Sequence, residues 1–337
     1  KDQLLVFFGA GPAIFPYANQ YMSWYLTGTA FALISAGMNQ FIICQGFATV
    51  GMKSVVLGAV SNIVLDPVFI LPWGLDMGAE GAGLATFLSN CVACLYFFVL
   101  LWKKRGRTFV CIHPRKFSLE KRIVWGICNV GIPASIQNLL NVTGMTILNN
   151  FTSSFGADAV AAMGITQKIN MVPMNVAMGL SQGIMPLISY NYSSRNHKRM
   201  KGTLVFAVKA SLGFIAIVAV GYFVGAAQLT QLFMDNETIV AYGTKFLRGF
   251  CLGLPFLCMD FIAVGVFQAV GMGREALLFA IMRKIVLEIP ALYILNFLFP
   301  LYGLAYAQLT AEVVLAVAAV LVLARLFKRI SKENTIS

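Results

Sequence analysis

Asn62 and Asp66 stand four residues apart inside one apolar run of this sequence, Lys284 and Glu288 stand four apart inside another, and Asp260 and Glu312 interrupt two more. An ionised side chain at bilayer depth costs at least ~2.5 kcal/mol on insertion scales, so each such group needs a partner, a cavity or a task. At i, i+4 spacing on a helix the Asn62 carbonyl oxygen and the Asp66 carboxylate share a face, and they are the oxygen ligands that hard monovalent cations take. Lys284 and Glu288 have the same spacing but bring their own counter-charge. The first pair leaves one negative charge seeking Na⁺ or H⁺, whereas the second can neutralise itself. A coupling-ion site is therefore expected at Asn62 and Asp66 only. The plainer alternative is that Asp66, just before Pro67, answers a neighbouring helix dipole or hydroxyl.

The elements that must position these groups are membrane spans. The 337 residues are 59% hydrophobic and 11% charged, with a mean hydropathy of +0.79, outside the range of soluble globular domains. A hydrocarbon core of ~30 Å takes about 20 apolar residues to cross. Runs of that kind occupy nine stretches, near 16–43, 52–72, 81–102, 122–153, 158–190, 203–225, 240–270, 275–299 and 303–324. Several exceed the minimum, and Pro133, Pro173, Pro186, Pro255 and Pro290 are expected kink points. Lys and Arg crowd three connections: 103–122, 195–201 and 325–332. All three fall on one side if every run spans, and short basic loops stay cytoplasmic. The opposite loops carry Asp76, Glu80, Asp158, Asp235 and Glu237, so the N-terminus of the chain is expected outside.

This distribution also explains the net charge of +12. The basic residues lie between apolar runs rather than on a soluble module, which points to an anionic membrane surface and away from nucleic acid. Seven cysteines, mostly in apolar runs, do not form a disulfide framework. Cys91 and Cys94 make a lone CxxC remote from both histidines, so free thiols and no metal are expected. No HExxH, GxSxG or phosphate loop occurs and the acids are scattered, which argues against an enzyme and gives no catalytic residue. Gln137, Asn138 and Asn141 in the fourth run, with Gln167, Lys168 and Asn170 in the fifth, form a polar stripe unsuited to lipid. Either interhelical hydrogen bonds or a cavity wall accounts for it. Met171, Met174, Met178 and Met185 crowd the fifth run, as core filling or as a wall that adapts to many shapes.

The sequence repeats at a shift of 222 residues: Gly51 matches Gly273, residues 63–65 match 285–287, Asp66 matches Glu288, Gly81 matches Gly303, Ala85 matches Ala307 and Lys103 matches Arg325. The shift is six spans, so the copies share an orientation and an axis along the membrane normal relates them. Runs one to three repeat as seven to nine, and four to six lack an upstream partner. Three further helices are expected before Lys1, completing twelve spans in two six-helix lobes. The expected divisions are 1–103 for the remainder of the first lobe, 104–121 for a cytoplasmic linker, 122–328 for the second lobe and 329–337 for a cytoplasmic tail.

Asn62–Pro67 with Gly81–Thr86, Gly131–Pro133, Met185–Pro186 leading to Tyr190–Tyr192, Gln268–Gly271, and Ile289–Pro290 with Tyr293–Leu295 together resemble the multidrug and toxic compound extrusion transporters, in their bacterial MepA-like or DinF-like branch. The chain departs from that pattern at Ile43, where Arg is usual, and at Ser193 and Ser194, where Gly and Ala are. The resemblance implies two lobes, a cavity of alternating access and export of organic cations or amphiphiles against Na⁺ or H⁺, by a monomer in a bacterial plasma membrane. It implies Asn62, Asp66 and Thr86 as ion ligands, and makes Asp260 a second-lobe acid near the substrate cavity; Gln137, Asn141 and Lys168 of the polar stripe, with Gln182, are the other expected cavity residues. Asp260 could equally be a charge paired with Lys168, and Glu312 has no assigned role. Small-molecule drugs and lipids are the expected partners, with no cofactor beyond the coupling ion. A lipid-linked saccharide flippase is the closest rival, although its site would want more cationic residues than Lys168, Arg283 and Lys284 supply. A channel is disfavoured by the asymmetric lobes.

Overall fold

The computed structural model describes residues 15–103 and 118–336, with side chains to Lys328. The linker basics at 104, 105, 107, 115 and 116, together with Cys111 and His113, lie outside the described residues, as do the side chains of the tail 329–337. Every regular element among the described residues is a helix, and the chain divides into two compact units between Ser118 and Leu119.

The first unit holds α1 (Phe15–Cys44), α2 (Ala48–Ile70) and α3 (Gly78–Lys103). α3 packs against both of the others, and its buried residues include Gly81, Gly83, Ala85 and Ser89. Small side chains at these positions let the backbones approach, which is how apolar helices associate without a hydrophobic driving force. Trp24 on α1 donates its indole N–H to Glu80 Oε1 on α3 at 3.1 Å, and Ser54 on α2 donates to the Ala93 carbonyl of α3 at 3.4 Å.

The second unit holds α4 (Lys121–Ser153), α5 (Ala157–Ser193), α6 (His197–Val224), the short α7 (Ala226–Gln231), α8 (Glu237–Ala269), α9 (Gly273–Ile281), α10 (Ile289–Leu298) and α11 (Gly303–Ile336). Asn caps start α6 and α8: Asn196 accepts from the Arg199 N–H at 3.1 Å, and Asn236 accepts from Thr238 and Ile239 at 3.0 and 3.3 Å. Each cap satisfies N–H groups the helix cannot reach. α8 is the buried axis of this unit, enclosed by α5, α6 and α11. On it Gly265 lies against Ser181 of α5, whose hydroxyl donates to the Phe261 carbonyl of α8 at 2.7 Å.

Among the described residues eight helices, α1 to α6, α8 and α11, are long and apolar enough to cross a membrane. Their outer faces carry large apolar side chains without protein cover, such as Phe206, Ile217 and Val224 on α6, as lipid-facing surfaces do. The ninth expected run, 275–299, is not one apolar α-helix. It is α9, then a π-helical segment at Met282–Glu288, then α10. The cause is local: Pro290 has no N–H to give the carbonyl four residues back and its ring crowds that carbonyl, while the Ile289 N–H reaches instead to the Lys284 carbonyl. That i→i+5 pattern widens the turn. Pro133, Pro173, Pro186 and Pro255, by contrast, lie inside uninterrupted helices.

Candidate functional site

The i, i+4 geometry expected on α2 is present. Asn62 donates from Nδ2 to Asp66 Oδ1 at 3.3 Å, and both side chains are half-buried. This bond uses the amide nitrogen and leaves the Asn62 carbonyl oxygen free to act as an acceptor beside the carboxylate. Among the described residues no cationic side chain forms an ion pair with Asp66. Thr86 sits half-buried on α3, the helix that packs against α2, and its hydroxyl donates to the Ala82 carbonyl at 2.9 Å, with its oxygen lone pairs still available.

The repeat-related position in the second unit is built differently. Lys284 Nζ meets Glu288 at 2.7 Å, both buried, which is the self-neutralising pair the spacing implies. The fold then adds partners that spacing does not reveal. Arg283, 3% exposed, lies between Asp260 of α8 and Glu312 of α11, at 3.4 and 2.6 Å. Asp260 is thus paired with Arg283 and not with Lys168, which is exposed on α5. Glu312, given no role from sequence, is fully buried and is Arg283's shorter contact. The π segment makes this arrangement possible, because its wide turn buries Arg283, Lys284 and Glu288 together on a helix whose other residues at 282, 285 and 286 are exposed. The guanidinium also lies 5.5 Å from the Phe261 ring centroid, an added attraction for a desolvated cation.

A cavity of about 310 Å³ opens beside this cluster, wholly within the second unit. One wall is charged, from Arg283, Lys284 and Glu288. Asn138 and Asn141 of α4, Gln167 and Asn170 of α5 and Gln308 of α11 supply amides, while Met145, Met171, Met174, Met178, Phe250 and Phe261 supply flexible and aromatic apolar surface. Most of the polar stripe on α4 and α5 therefore lines a cavity, and three of the four clustered methionines do too. The other proposed cavity residues are placed elsewhere. Gln137 accepts from Gln268 at 3.3 Å, linking α4 to α8, Lys168 and Gln182 are exposed, and Asp260 stands behind Arg283 without lining the cavity. The only sequence signal for Glu312 was that it is an acid in an apolar run, and no spacing rule ties it to Arg283 across a loop and a π segment.

The comparisons with known proteins agree with this architecture. The MatE family model matches residues 133–294. The multidrug export protein MepA of Staphylococcus aureus (strain bovine RF122 / ET3-1) is 31% identical over 337 residues, which covers 99% of this chain and 73% of that protein. MepA of Staphylococcus saprophyticus is 30% identical over 334 residues, covering 99% and 72%. Among solved structures, MATE in complex with MaL6 superposes with a TM-score of 0.90 at 26% identity, covering 98% of this chain and 74% of the other. The Vibrio cholerae MATE transporter VcmN superposes at 0.86 with 20% identity over 97% and 74%, a likeness of fold.

Proposed function

The chain belongs to the multidrug and toxic compound extrusion family, a multi-pass group of bacterial plasma-membrane transporters, and from that premise we propose that it is a secondary antiporter that expels organic cations or amphiphiles in exchange for Na⁺ or H⁺. The observation that carries the coupling half is Asp66: a carboxylate on an apolar helix, hydrogen-bonded by the neutral Asn62 amide and, among the described residues, in no ion pair. A negative charge so placed favours uptake of a proton or a small cation. Asn62 and Thr86 supply the neutral oxygens that would complete a cation's shell, and no catalytic residue or cofactor enters the cycle. Binding at Asp66 biases the protein between its two access states to the extent that the ion prefers one of them. The methionine and amide surface of the second-unit cavity supports the breadth of cargo, since unbranched thioethers adapt to many shapes.

Ethidium efflux from cells expressing the protein, measured with and without an imposed sodium gradient and across a pH gradient, tests this reading. Asp66→Asn removes the charge while keeping size. Gradient-driven efflux should fall to the level of empty-vector cells at undiminished membrane expression. Efflux at the wild-type rate in that variant would overturn the assignment of Asp66.

A further inference from the structure

α8 is the buried axis of the second unit, yet beyond its first turn one stripe of it is left uncovered. Ala241, Lys245, Arg248, Leu252 and Phe256 are all exposed and follow one another at steps of three or four residues, so they share one helix face. Two of them are cations in the outer half of the helix. The basic loops place this end of the molecule away from the cytoplasm, and the outer turns at 71–77, 154–156, 225–236 and 299–302 contain no Lys or Arg. Among the described residues neither cation forms an ion pair with a carboxylate. Glu237, the acid in the first turn of α8, stands about 12 Å up the helix axis from Lys245 at the usual rise per residue.

Both cations are steered by groups that leave most of their donors unused. Lys245 Nζ donates to the Tyr302 hydroxyl at 3.3 Å and stands 4.3 Å from the centroid of that ring. Arg248 Nε donates to the Phe223 carbonyl at 3.2 Å, with the guanidinium carbon 5.3 Å from the Phe223 ring centroid. Phe223 is in the last turn of α6, and Tyr302 is in the turn that joins α10 to α11. The two charged heads are thus drawn to the outer ends of helices, where a snorkelling side chain meets the membrane boundary. The other two N–H groups of the ammonium and both terminal nitrogens of the guanidinium stay available, a donor set that suits phosphate oxygens.

Apolar surface leads away from each cation. Leu252 and Phe256 continue the stripe inward from Arg248. Tyr302, the partner of Lys245, also lines a groove of about 500 Å³ with Leu295, Leu298, Phe299, Pro300 and Tyr306. Two cations at the boundary above two apolar tracks complement a diacyl lipid with a phosphate head. A zwitterionic head would set its own ammonium against Lys245 and Arg248, whereas a phosphoglycerol head brings negative charge alone.

We propose that Lys245, Arg248 and the groove beside Tyr302 form a site for one anionic phospholipid of the outer leaflet, its phosphate bridging the two cations and its acyl chains on the two apolar tracks. The lipid ties the end of α6, the outer half of α8 and the α10–α11 turn to one another, so its binding stabilises the folded protein. The site is independent of the cargo and of the coupling ion.

The test uses the full protein, delipidated in dodecyl maltoside and titrated with dioleoyl phosphatidylglycerol or dioleoyl phosphatidylcholine. Native mass spectrometry counts the bound lipids and thermal unfolding follows stability. The first phosphatidylglycerol should bind about tenfold more tightly than phosphatidylcholine and raise the unfolding midpoint, as two basic residues at the membrane surface imply. Lys245→Gln combined with Arg248→Gln should abolish both effects, while Lys198→Gln combined with Lys201→Gln in the cytoplasmic basic loop should preserve both. An undiminished preference in the first double variant, or its loss in the second alone, overturns the proposal. Inorganic phosphate should neither displace the lipid nor raise the midpoint; if it does both, the cations hold a free anion and the lipid site is refuted. If the first double variant does not fold, phosphatidylglycerol carrying a diazirine in its acyl chain decides on the unaltered protein. Crosslinks should fall on the peptides that contain Leu252 and Phe256 or Leu298 and Phe299, and crosslinks confined to other segments overturn the assignment.

Discussion

At the residue scale the two repeat-related pairs show how one spacing yields two chemistries. Asn62 and Asp66 hold each other at 3.3 Å, with no ion pair to Asp66 among the described residues, while Lys284 and Glu288 meet at 2.7 Å inside a larger cluster. Arg283 holds that cluster together, because among the described residues it is the one that forms ion pairs with both Asp260 and Glu312. Arg283→Met should therefore strand two buried acids and destabilise the protein by about 3–5 kcal/mol, the cost of breaking a buried charge pair from one side. Glu312→Gln keeps the shape and removes the excess negative charge, so it should be far milder. Thermal unfolding of both variants in detergent checks the order; equal loss of stability would contradict it. The Asn62–Asp66 geometry was legible in the sequence, since i, i+4 neighbours on a helix must meet. The partner of Asp260 was not, because Lys168 and Arg283 are both plausible until the helices are placed.

At the element scale the π segment matters most. Spacing rules for an α-helix place Lys284 and Glu288 together but give no reason for Arg283 to share their burial. The segment follows from Pro290 and the i→i+5 bond from Ile289 to Lys284. The Lys284 stem is also cradled by α4. A methyl group on Gly144 would lie 3.0 Å from Lys284 Cδ and 3.1 Å from Nζ. Gly144→Ala should push Lys284 off Glu288 and narrow the cavity, costing about 1–3 kcal/mol as an overpacking change. Gly164→Ala on α5, with open space at its Cβ, should be neutral or slightly stabilising, because Ala is the better helix former. Unfolding midpoints should separate the two variants, and ethidium affinity should fall in the first alone.

At the scale of the whole molecule, orientation comes from charge. The loop around Ser194 and Arg195 is basic and the turn at Asp235 is acidic, and both Ser194 and Asp235 are exposed. In a cysteine-free background, Ser194→Cys should be labelled by a membrane-impermeant maleimide only from the cytoplasmic side and Asp235→Cys only from outside, as the positive-inside rule requires. The reverse pattern would invert the topology and with it the direction of export.

Composition, run length and the 222-residue repeat by themselves determined a polytopic helical protein with two related copies of one helical unit. These properties are local or periodic: a span is a matter of about 20 consecutive apolar residues, and a repeat is a matter of matching positions. The Asn62–Asp66 pair belongs with them, being a contact within one helix turn. The interruption of the run at 275–299, the enclosure of α8, the cavity beside Arg283 and the role of Glu312 were decided only by the tertiary structure. They depend on which faces of distant helices meet, and in α8, the π segment and α11 the groups that share one guanidinium are drawn from positions 260, 283 and 312. No spacing along the chain encodes that meeting, because the pairing is enforced by the cost of leaving a buried charge alone and not by proximity in sequence.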